Sequence, residues 1–234
     1  MDKTKNKTWL DILLNYFMFF TAYLVVSKGL VLILLLLGKN DHYNAGILLF
    51  GSACSILLIA GFVWCYKRLE LKKYIGNYEP THQKKWIAFI GSLLGLIIVS
   101  YLLTLFVTPA GGTGLLQSSQ TMSPYVLGYY FFRTVLLVPI YEEILFRGVL
   151  LGAEKWLIPK ITQQKQLQIL FLVVLVTVNS IIFSSLHNPT NVISFVLYVI
   201  FGWISSSLYL YTKALKLSIY LHQINNLLAV LSFF

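Results

Sequence analysis

Glu142 and Glu143 stand side by side inside a long apolar stretch, and Arg147 follows four residues after Glu143. His187 and His222 lie at the end of one later apolar stretch and inside another, with Asn226 four residues beyond His222. Carboxylates, imidazoles and amides are the groups that activate a water molecule and stabilise the charge developing on an attacked carbonyl. They are also costly in hydrocarbon, so ionisable groups in such stretches point to function by default. On a helix Glu143 and Arg147 fall on one stripe while Glu142 points about 100° away. The spacing therefore predicts an ion pair between Glu143 and Arg147 and leaves Glu142 without that partner, free to serve as a general base. Phe183 with His187 and His222 with Asn226 share the same four-residue spacing, which offers an aromatic ring and an amide to orient the two imidazoles. An intrahelical ion pair can merely settle its own burial, and a histidine before Asn188-Pro189 can merely cap a helix. Packing has no use for all four groups in one half of a lipid-embedded chain. Other chemistries lack their parts: there is no HExxH, no GxSxG and no cysteine beside a histidine. Ser184 and Ser185 sit too close to His187 along one helix to be good proton-transfer partners for it.

The elements that must hold these groups follow from composition. Of 234 residues 58% are apolar and 11% charged, against about 25% charged in a soluble domain, which excludes a soluble enzyme. Apolar runs long enough to span a bilayer cover Ile12 to Leu37, Ala45 to Tyr66, Trp86 to Val107, Tyr125 to Gly152, Leu167 to Leu186, Val192 to Tyr211 and Leu217 to Phe234. In lipid each backbone polar group must be satisfied within the chain, so these runs read as helices. The expected fold is an all-α polytopic transmembrane bundle of about seven spans. The uncharged, glycine-bearing segment 108–124 divides an N-terminal membrane region of three spans, 1–124, from a four-helix region, 125–234, that carries the chemistry. Pro139 suggests that the helix of Glu142 starts afresh after it and runs on to Trp156.

The net charge of +10 sits mainly in short segments between spans, which fits membrane orientation rather than nucleic-acid binding. Fourteen Lys and Arg fall in alternate segments, from Lys3, Lys5 and Lys7 through Lys155, Lys160 and Lys165 to Lys213 and Lys216, and only Lys39 in the others. The N-terminus is expected in the cytoplasm and the C-terminus outside, in the plasma membrane. Lys28 reads as a snorkelling cation, and Arg133 as a second counter-ion or a substrate contact. Cys54 and Cys65 share a helical face and read as small buried hydrophobes.

The motifs resemble a family. Glu142 to Arg147 is similar to an EExxxR motif, Phe183 to His187 to FxxxH and His222 to Asn226 to HxxxN, in the order found in the CAAX prenyl protease and bacteriocin-processing (Abi) family of intramembrane peptidases. The resemblance covers Tyr125 to Ser232. It implies peptide-bond hydrolysis with Glu142 activating water, Glu143 and Arg147 in support, and His187, His222 and Asn226 around the water and the oxyanion. It implies a peptide or lipidated-protein substrate in the bilayer and leaves the cofactor open between zinc and none, with Glu142, His187 and His222 as candidate ligands. Two readings of other classes stand beside it: a non-catalytic immunity or scaffold protein whose polar cluster binds a peptide, and a proton-coupled carrier.

Overall fold

The computed structural model describes residues 9–24, 45–76, 78–105, 128–129, 131–187 and 189–231; Lys28, Lys39 and the segment 108–124 lie outside them. The described residues form helices and no strand. The order is α1 (Trp9–Leu24), α2 (Ala45–Leu69), a short 3-10 turn (Leu71–Ile75), α3 (His82–Thr104), α4 (132–161), α5 (Lys165–Leu186), α6 (Val192–Thr212) and α7 (Leu215–Leu231). Within them Leu48–Leu69, His82–Leu103, Lys165–Leu186 and Val192–Thr212 are long and apolar enough to cross a membrane. The chain is an integral membrane protein. Of the other predicted spans, α1 is described over 16 residues and α7 over 17.

Local chemistry sets several boundaries. The Thr81 hydroxyl accepts from the Lys84 amide and starts α3. Asn191 and Ser194 form a reciprocal capping box at the start of α6. α5 stops at His187, just before the proline that follows Asn188. α6 stops where Lys213 turns into the left-handed region (φ 53°), and its buried ammonium donates to the carbonyl of Gly76 beside the 3-10 turn.

α4 departs from expectation. The helix does not begin anew after Pro139 but runs through it, because the hydrogen-bond register loosens on either side. Phe132–Leu137 and Ile144–Leu151 are wound as π-helix, with an α-helical segment, Val138–Glu143, between them. The helical run then continues to Ile161 rather than stopping at Trp156. Lys155 and Lys160 are therefore helical rather than in a connecting segment, Lys160 lying over the Trp156 ring, and Glu154 is buried.

α4 runs through the centre, and α5, α6 and α7 pack around its middle. Leu145, Phe146 and Val149 of α4, Phe183 of α5, Phe201 and Leu208 of α6 and Leu221 of α7 are buried in one cluster. Gly202 lets α5 and α6 meet closely: a Cβ there would lie 2.7 Å from the Ser180 side chain. Leu49, Phe50 and Leu57 of α2, Ile87, Ile90 and Leu94 of α3, and Ile169 and Leu170 of α5 are exposed, which is the arrangement required of helices whose solvent is lipid.

Candidate active site

The central segment Val138–Glu143 ends with both glutamates buried. Glu143 is fully enclosed and points into a network from four helices. Its Oε1 accepts from Arg147 Nη1 at 3.0 Å, the ion pair that the spacing predicts, and also faces His222 Nδ1 at 2.9 Å. Its Oε2 accepts from the Ser205 hydroxyl at 2.8 Å. Arg147 donates a second bond to the Gly202 carbonyl at 3.3 Å. Its guanidinium lies 4.8 Å from the centre of the Phe183 ring and 5.7 Å from that of Phe201. A guanidinium suits such a place, since its separate N–H groups reach a carboxylate and a carbonyl at once while it presents a weakly hydrated face to aromatic rings.

Glu142 is turned away from that network, as its position on the helix requires, but it is not without partners. Oε1 accepts from the Tyr23 hydroxyl of α1 at 3.2 Å. Oε2 is buried and makes no hydrogen bond of its own. His187 Nε2 stands 3.6 Å from Oε2 and His222 Nε2 3.7 Å from it. The three ligating atoms of Glu142, His187 and His222 all lie within 4.8 Å of one another. Groups 45 and 80 residues apart along the chain thus converge on one point.

Each imidazole presents the same nitrogen because its other nitrogen is committed. His187 Nδ1 lies 2.8 Å from the Phe183 carbonyl, which can only accept, so Nδ1 carries the proton. The Phe183 ring also lies against His187, with centroids 4.3 Å apart, and Tyr198 flanks the other side at 4.5 Å. The orienting group of His222 is the Glu143 carboxylate, not Asn226: the Asn226 amide donates to the Thr134 carbonyl at 2.9 Å. The predicted amide contact is therefore replaced by a stronger, charge-assisted one from another helix. Arg133 is half-buried in the first π-helical stretch of α4.

Two contributors were not singled out in the sequence. Tyr23 sits in the aromatic run Tyr16 to Tyr23 of α1, and nothing in that run marks one hydroxyl as special. Ser205 had a faint signal, the Ser205-Ser206-Ser207 triplet inside an apolar span, because hydroxyls in such runs need a partner.

Residues 124–228, a little under half of the chain, match the family model described as Rce1-like, type II CAAX prenyl endopeptidase. Over this segment the chain is similar to the Rce1-like family. It is a protease family, and the match contains Glu142, Glu143, Arg147, His187, His222 and Asn226 but not Tyr23. No curated protein and no solved structure matches the chain. The matched segment spans all three motifs; the convergence of their side chains comes from the packing of α4 to α7.

Proposed function

We propose that this protein is an intramembrane endopeptidase in which Glu142 activates the attacking water. The observation that carries the reading is the unbonded, buried Oε2 of Glu142, faced by the Nε2 atoms of His187 and His222. A water about 2.8 Å from each of the three atoms fits their spacing. With both Nδ1 positions committed as donors, Glu142 and two neutral imidazoles would present three acceptors to one molecule, and water has only two protons. The site is thus built for one further positive charge, either a proton on an imidazole or a metal ion.

In the proton form the water oxygen attacks the peptide carbonyl carbon while Glu142 takes its proton. The imidazolium donates from Nε2 to the oxyanion, and Glu142 returns the proton to the leaving nitrogen as the C–N bond breaks. Glu143, Arg147 and Ser205 hold His222 at the correct angle. The donor set, one carboxylate and two imidazoles facing it, would also suit zinc. A metal held by Glu142, His187 and His222 would supply Lewis-acid activation of water and carbonyl.

The proposed substrate is the C-terminal region of a prenylated protein, or a membrane-associated peptide precursor of the bacteriocin or leader type. The support for the first is the family that residues 124–228 match. The proposed orientation places the N-terminus in the cytoplasm, supported by the bias of basic residues in alternate segments.

The test is hydrolysis by the protein reconstituted in liposomes, with farnesylated and unmodified peptides of the same sequence. Glu142→Gln keeps the shape and removes the base, and is expected to lower kcat by on the order of 10^3-fold. A Gln variant as fast as the native protein would overturn the assignment. Loss of activity with 1,10-phenanthroline and recovery with zinc alone would decide for the metal form.

A further inference from the structure

Asn226 follows His222 by one turn, yet its amide is bonded to a backbone carbonyl of α4. The identity of that carbonyl explains why. In the first π-helical stretch each N–H reaches back five residues, and the Val138 N–H bonds to the Arg133 carbonyl. One residue further on, the same register would join the N–H of residue 139 to the carbonyl of Thr134. Residue 139 is proline and has no N–H. The Thr134 carbonyl, in a half-buried stretch of a membrane-embedded helix, would be left without its intrahelical donor, and an unsatisfied carbonyl in such a medium is costly. The Asn226 Nδ2 donor lies 2.9 Å from it. Two residues further along α4, the Gln223 amide of α7 donates to the Leu136 carbonyl at 3.0 Å.

We infer that Asn226 is a positioning residue whose amide replaces the backbone donor that Pro139 lacks, locking α7 to the π turn of α4 so that His222 meets Glu142 and Glu143. The geometry gives the lock a purpose. Pro139 precedes Glu142 by three residues and Asn226 follows His222 by four, so this bond, with that of Gln223 beside it, sets the height of His222 relative to Glu142. A π turn also rotates everything after it relative to an α-helix of the same length. Any exchange between π and α register before Glu142 would swing its carboxylate away from the imidazoles. The bond from Asn226 holds that register from outside the helix. The bond to Thr134 engages one N–H of the Asn226 amide, and the positioning role belongs to that one.

This inference rests on the proposed proteolytic site only for its effect on turnover; the coupling between Asn226 and Pro139 is independent of it. The experiment is therefore a double-mutant cycle read in two ways. Asn226→Leu keeps the size and removes the donor, and Pro139→Ala restores an N–H at residue 139. In the native background Asn226→Leu is expected to lower kcat at least tenfold with KM little changed, and to lower the melting temperature in detergent. With Pro139→Ala already present, the same substitution is expected to cost less than threefold in kcat and to leave the melting temperature within a degree or so of the single Pro139→Ala variant. If Asn226→Leu alone does not yield monodisperse protein, recovery of a monodisperse peak in the double variant supports the lock, and failure of both overturns it. Equal losses of kcat in the two backgrounds, with no coupling in melting temperature, would show that Asn226 acts on the substrate and not through Thr134. Coupling in melting temperature without any turnover by the native protein would leave the lock standing and remove the protease.

Discussion

The two halves of the molecule treat the membrane in opposite ways. α4 to α7 bring Glu142, Glu143, Arg147, His187 and His222 inside and surround them with aromatic rings, notably Phe183 and Phe201. α2 and α3 turn rows of Leu, Ile and Phe outward and contribute few buried polar groups. α1 and α2 reach the site chiefly as a wall: Phe19 of α1 packs on Phe62 of α2, and Tyr23 and Phe62 meet the ring of Tyr141 on the Glu142 segment. The exception is the Tyr23 hydroxyl on Glu142. The family match covers the first kind of half and not the second. A polar site in a bilayer therefore has two separable needs, a constellation that satisfies its own charges and a wall that excludes lipid and stray water. Residue identity is demanding for the first and permissive for the second.

The largest test of that division is Arg147→Met. It leaves Glu143 buried without its counter-ion, and loss of one partner of a buried pair costs about 3–5 kcal/mol. The variant should lose most of its folded yield, measured as the monodisperse fraction in detergent; native-like yield would mean that Glu143 is not charged in the fold. Tyr23→Phe comes next. It removes one hydrogen bond to a carboxylate, worth about 1.5–3 kcal/mol, and should lower the melting temperature and cut kcat roughly tenfold while the ring contacts of the wall are kept. Unchanged kcat would reduce α1 to wall alone. The smallest effect is expected for Leu57→Ala on the exposed face of α2, where lipid replaces the lost methyl groups on one side and neither kcat nor melting temperature should move measurably. A loss there as large as that of Tyr23→Phe would erase the distinction between the halves.

Much of the site was legible from residue type and spacing. The pair Glu143–Arg147 follows from helical periodicity alone, and the isolation of Glu142 on another face follows from the same count. Pro139 was visible, but its consequence was not. A proline predicts a break or restart, whereas here the loosened π register absorbs it and passes the unmet carbonyl to Asn226 on another helix. That choice depends on what α7 presents at the right height, which no local pattern encodes. The same reason hides Tyr23, whose importance lies in where α1 is placed.

By itself the order of residues determined that this chain lives in lipid, that it is helical, and that Glu142, Glu143, Arg147, His187, His222 and Asn226 are the polar groups in need of explanation. Those follow from solvent physics and the 3.6-residue repeat, which are local. Tertiary structure alone decided which atoms meet: that Oε2 of Glu142 stays unbonded between two Nε2 atoms, that Glu143 rather than Asn226 orients His222, and that a tyrosine from outside the family segment closes the other side. Such pairings depend on the relative height and rotation of separate helices, and side-chain packing over the whole bundle sets those two quantities.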